Sequence, residues 1–137
     1  MLADVQAAVG GIPRQNRWEW FDMVGERRFS EARATLSTLL DSGETGVGLV
    51  IGMGTHLLRL GIVAHGGERA LENALPSYQR WLASRRARQA GKWRAADLDG
   101  ALEDLLRADR LLKSTNLGDR AILEELILRF QAHAYTN

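Results

Sequence analysis

The chain has no cysteine among its 137 residues, which removes disulfides and thiolate metal sites at once and suits a reducing interior. A charge of one sign is missing too. The formal net charge is +1, so any case for nucleic acid or an acidic membrane has to come from local clustering. No signal peptide is legible, because Leu2 to Val9 is too short and carries Asp4 where a basic region belongs. A cytoplasmic protein is therefore expected. Strand alternation, internal repeats and low-complexity segments are all lacking. What remains, 45% hydrophobic and 26% charged residues, is an ordinary single-domain composition with enough apolar material for a real core.

Most catalytic and cofactor patterns are missing as well. His56, His65 and His133 share no short metal-ligand spacing. Asp97-Leu98-Asp99-Gly100 lacks the later ligands of a calcium loop and falls where a helix should start, where acidic residues suit the helix dipole. Serines are few, and none stands in a nucleophile elbow. The run GVGLVIGMG from Gly46 to Gly54 invites a nucleotide-loop reading, but no strand precedes it and no Lys-Ser/Thr pair follows. The dinucleotide pattern also loses its third glycine to Ile51. Neither a cofactor nor a catalytic site is expected.

What is present is helical periodicity, clearest from Leu98 to Phe130, where two amphipathic patterns flank a short polar break at Ser114 to Gly118. Leu98, Ala101, Leu102, Leu105, Leu106 and Leu112 recur at three- and four-residue steps. Their stripe centres near Asp109, with Lys113 one turn later. That pair reads either as a surface ion pair or as a buried polar anchor holding the next helix, with Arg59 a further candidate partner. From Asp119 to Ala134, Ile122, Leu123, Leu126, Ile127 and Phe130 point one way while Glu124, Glu125 and Arg129 point the other. Leu128 projects from the polar side, a candidate interface residue.

Upstream, Leu2 to Val9 reads as a short helix ended by Gly10-Gly11, and residues 1–13 as the tail of a preceding domain or a linker helix. Residues 14–137 form the domain proper. Arg17 to Val24 is a helix carrying Trp18, Trp20 and Phe21, rings that supply core area more simply than a base-stacking platform. Ser30 to Leu40 is a helix with Ser30 as N-cap. Thr45 to Val63 is a buried core helix in which Gly48 and Gly52 allow close approach of a neighbour. Glu68 to Ala74 is a short helix, and Ser77 to Ala90 another, opened by Pro76 with Tyr78, Trp81 and Leu82 inward. The fold class is all-α, a compact bundle of about five to seven helices.

A basic tract, Arg80, Arg85, Arg86, Arg88, Lys92 and Arg94, has no acid within it. It can hold phosphates, or it can be a solvated face or a subunit contact; Arg85, Arg86 and Arg88 are candidate interface residues on either reading.

The run Trp93-Arg94-Ala95-Ala96-Asp97-Leu98, followed by Ala101-Leu102, Leu105, Ala108-Asp109 and Leu112-Lys113, resembles the closing pattern of the bacterial DNA polymerase III delta subunit, a clamp-loader protein. Trp18 to Glu26, then Ala32, Leu36, Leu39-Leu40 and Gly43-Glu44, resemble the start of that family's carboxyl-terminal domain, and Arg59 falls where its long helix carries an arginine. The resemblance spans nearly the whole chain. It implies a helical collar domain that assembles with delta prime and gamma/tau and has no ATPase of its own, within the DNA polymerase III holoenzyme. It also implies that the sliding clamp is engaged only by an amino-terminal region outside these residues. A small nucleic-acid-binding helical module using Arg80 to Arg94 is the alternative.

Overall fold

The computed structural model describes residues 15–134, and among them six α-helices and one 3-10 turn account for the regular structure, with no strand. The expected all-α class holds. The helices are α1 (Gln15–Gly25), α2 (Phe29–Asp41), α3 (Gly46–Ala74), α4 (Leu82–Ala90), α5 (Ala95–Ser114) and α6 (Asp119–Ala134), with the 3-10 turn at Ser77–Gln79. The expected helix at Leu2 to Val9 lies outside the described residues.

The long α3 is the axis of the bundle, packed against α4 and α5 and touching α1, while α6 lies against α5 and α2. Its N-terminus explains why it starts where it does. Thr45 is its N-cap and accepts from the Gly48 N–H at 3.0 Å, and Asp119, the first residue of α6, accepts from the Gly46 N–H at 2.7 Å. Two orphan donors are thereby satisfied, and a carboxylate meets the positive end of the helix dipole. The glycine run is therefore the capped first turns of a helix, and the amides of Gly46 and Gly48 are already engaged.

One face of α3 (Leu49, Val50, Met53, His56, Leu57 and Leu60) is buried, at helical spacing. The opposite face is not, so α3 differs from the fully buried core helix expected of it: Ile51 is 64% and Leu58 55% exposed. Close approach occurs at Gly52, where an added Cβ would overlap the Phe21 ring, and at Gly46, where it would meet Leu112 and Asp119; Gly48 meets only Thr45 of its own cap. At Gly67, φ is +84°, and the helix axis breaks. Beyond the break Leu71 and Leu75 form a separate small cluster with Ala83, joined by Val63 and Leu82.

Turns follow the same logic with one exception. After α2, the Glu44 N–H donates to the Leu39 carbonyl and Gly43 takes φ +107°, the usual glycine at a helix end. After α1 the same bonding pattern runs from the Arg28 N–H to the Met23 carbonyl, but the left-handed residue is Arg27, at φ 64°. Its guanidinium lies over the Trp93 ring, 5.4 Å from the centroid, and donates to the Lys92 carbonyl. These contacts offset a conformation that costs about 1 kcal/mol for a residue with a Cβ.

Several expectations are corrected. Ser30 lies inside α2, whose N-cap position is Arg28, two residues earlier than expected, because Phe29 is drawn into the core and starts the helix. The segment expected as one helix from Ser77 to Ala90 is a 3-10 turn followed by α4, and Tyr78 and Trp81 are 74% and 63% exposed rather than inward. Leu106 is exposed, whereas the small Ala101 and Ala108 are buried. The stripe of α5 is thus rotated away from Asp109 by about half of the roughly 100° that one residue turns. No N-cap was legible before α5, yet Asp97 accepts there from the Arg94 N–H and the Arg94 guanidinium.

Candidate aromatic and arginine cleft

The basic tract lacks acids, and α1 supplies one. Asp22 lies at the centre of a polar knot that ties α1 to α4: Arg85 Nη2 donates to Oδ2 at 3.2 Å, while Arg86 Nη1 and Gln89 Nε2 donate to Oδ1 at 3.1 and 2.8 Å. Gln89 Nε2 also reaches Glu26 at 3.4 Å. Because the amide nitrogen of Gln89 is fixed on the carboxylates, its Oε1 faces His56 and accepts from Nε2–H at 2.8 Å. His56 on α3 is thus a neutral imidazole. Burial pushes its pKa down to about 4, and the Arg86 charge pushes the same way against the Gln89 hydrogen bond.

Arg86 is almost wholly buried, and burial lowers its pKa while Asp22 opposes the shift. Its Nε has no hydrogen-bond partner among the described residues. Arg59 donates only to Gln79 Oε1, at 3.3 Å, and forms no ion pair among the described residues. Two guanidiniums, Arg85 and Arg86, therefore share the carboxylate of Asp22, and Arg59 adds a third positive charge to the same site without an ion pair among the described residues.

These groups line a cleft of about 440 Å³ between α1, α3, the 3-10 turn and α4, whose other walls include Trp18, Phe21, Gly52, Trp81 and Leu82. Trp18 packs edge-on against Phe21 at 5.6 Å yet stays 57% exposed, and Trp81 is more exposed still. The chemistry available is a surplus of positive charge beside two open indole faces. Such a site can hold an anion and stack a planar group. The neutral His56, with its N–H already engaged, offers no proton at neutral pH.

The expected anchor of Asp109, Lys113 and Arg59 is not assembled. Asp109 pairs with Lys113 at 3.0 Å as a surface pair, with side chains 30% and 60% exposed, and Arg59 belongs to the cleft. The physical reason is the rotated stripe of α5. The acid that joins α5 to α6 is Asp104, 12% exposed, which takes a hydrogen bond from His133 at 2.8 Å and lies 3.8 Å from Arg129. The His133 ring fits there because Gly100 has no side chain; an added Cβ would stand 2.6 Å from it. Arg107 crosses to Glu125 alongside and holds that carboxyl below its ordinary range.

Arg85 and Arg86 are brought together at Asp22, whereas Arg88 is exposed and forms no ion pair among the described residues. Arg86 is thus a buried structural residue, not the exposed surface cation a docking face needs. Leu128 is 46% exposed on α6, on the side expected. Sequence reasoning missed Asp22, Gln89 and Asp104. The available signal for Asp22 was an acidic residue on an aromatic helix together with a basic helix that had no acid of its own.

Comparison with known protein families, with curated proteins and with solved structures finds no match for this chain.

Proposed function

We propose that this chain is a collar domain of the clamp-loader delta-subunit type, an assembly module that joins delta prime and gamma/tau in DNA replication. The carrying observation is where the resembling residues fall. Trp93, Leu98, Ala101, Leu105 and Ala108 are buried in one apolar core, and α5, which carries four of them, packs along the long central helix. Trp20, Ala32, Leu36 and Leu39 of the opening pattern join the same core. The motif thus corresponds to one packed unit rather than to scattered leucines, and an all-helical bundle is what a collar requires. On this reading the chain works in the cytoplasm and reaches the sliding clamp only through a region outside these residues.

Co-purification with delta prime and gamma/tau from the same source tests the proposal. Retention on these partners at moderate salt is expected, because helix-face contacts are largely apolar. No retention on any of them removes it.

A second reading, binding of single-stranded nucleic acid, is favoured by one specific observation: exposed Trp18 and Trp81 beside Arg59 and Arg85 supply stacking faces and phosphate partners together. It predicts an affinity for oligonucleotides that falls steeply with salt and is lost in Trp81→Ala. Arg85→Ala and Arg88→Ala are the charge variants to use. Replacing Arg86 would uncouple the buried Asp22 knot and confuse binding with folding.

A further inference from the structure

The solvent face of α3 carries Ile51, Thr55, Leu58 and Ile62, at steps of four, three and four residues, the spacing of a helix-pairing seam. Gly54 and Gly61 run beside it one heptad apart, and an added Cβ at either meets nothing within 4 Å. Between Leu49 and Leu60 the other faces of α3 are occupied, since Leu49, Met53, Leu57 and Leu60 face the core and His56 and Arg59 line the cleft, whose edge Thr55 also reaches. A strip of large aliphatic side chains is thus left in water with no charge in it. Because burying an unpaired charge is costly, an uncharged strip selects an uncharged occupant.

Its size narrows the occupant further. From Ile51 to Ile62 the helix rises 11 residues at about 1.5 Å each, about 17 Å, and is about 10 Å wide. A strip that narrow falls short of the roughly 1,200 Å² that self-standing pairs bury. It suits one contact within a larger closed assembly rather than a dimer of this chain. We infer that the Ile51–Leu58–Ile62 face of α3 is the seam on which a neighbouring loader subunit lays an uncharged, aliphatic collar helix, the glycines letting the two backbones approach. This rests on the collar reading and adds the surface to it.

The test is co-assembly of the full chain with delta prime and gamma/tau, comparing wild type with Leu58→Glu, Ile62→Glu and, as an exposed leucine outside the seam, Leu106→Glu, and with Leu58→Met as the conservative change. All three substituted positions are exposed, so thermal melts should match. The expected result is at least a tenfold loss of affinity in Leu58→Glu and Ile62→Glu, retention in Leu58→Met, and little change in Leu106→Glu. If wild type assembles and the two α3 variants assemble equally well, the inference falls and the collar reading stands. If wild type binds no loader subunit, both fall. Sedimentation showing a wild-type dimer that Leu58→Glu converts to monomer would make a second copy the occupant. Flotation with phospholipid vesicles, lost in the same variant, would make it a membrane; either result overturns the proposal.

Discussion

At the residue scale, two aspartates five residues apart on α5 exchange the roles their positions suggest. Asp109 looks central in the leucine pattern and proves to be on the flank; Asp104 looks solvent-facing and is the one that reaches α6. Asp104→Ala strips His133 and Arg129 of their shared partner. It should cost about 1 to 3 kcal/mol, or several degrees of melting temperature, at about 4 °C per kcal/mol for a domain of this size. Asp109→Ala removes a pair between partly exposed side chains and should stay within about 0.5 kcal/mol. Thermal melts of the two variants side by side decide it, and equal effects would refute the assignment. The sequence pattern misleads here because Leu106 fits the inward spacing and Ala108 adds little to it. A small residue buried at a close helix contact carries little hydrophobic signal, and an exposed leucine carries a strong one.

At the element scale, helix identities were legible from spacing, and the bounds of α6 were read as found, because Ile122, Leu123, Leu126, Ile127 and Phe130 form an uninterrupted stripe after a glycine. The polar knot was not legible, since Asp22 and Arg86 are 64 residues apart and periodicity carries no information about partners at that distance. Glycines of α3 give the sharpest test at this scale. Gly52→Ala drives a methyl into the Phe21 ring, which has nowhere to go in a packed core, and should destabilise by about 1 to 3 kcal/mol. Gly54→Ala meets open space and gains helix propensity, so it should stabilise the isolated chain by about 0.5 to 1 kcal/mol. Urea denaturation of both would show opposite shifts in midpoint. A loss of stability in Gly54→Ala would mean that this face is already covered.

At the scale of the whole molecule, His56 makes folding sensitive to mild acid. Its folded pKa of about 4 lies below the ordinary 6.5, so the unfolded chain binds a proton that the folded chain refuses. The stabilisation is fully present above pH 6.5 and is lost as pH falls toward 4, at most about 3 kcal/mol in all. Asp97 and Glu125, held low by Arg94 and Arg107, lose their share only at lower pH. Melting temperature measured from pH 7 to pH 5 should therefore fall in wild type and flatten in His56→Gln; parallel slopes would place the titration elsewhere.

The break at Gly67 divides the apolar interior unequally. The larger portion runs through α1, α2, α5, α6 and the first part of α3, while Leu71, Leu75 and Ala83 form a remnant connected to it by Val63. Few side chains have to part for that remnant to open, so it need not wait for the rest of the protein to unfold. Amide hydrogen exchange should accordingly show two classes within a single helix. The amides around Leu57 and Leu60 should exchange only through global unfolding, and those around Leu71 and Leu75 through local opening at far lower free energy, with a denaturant dependence close to zero.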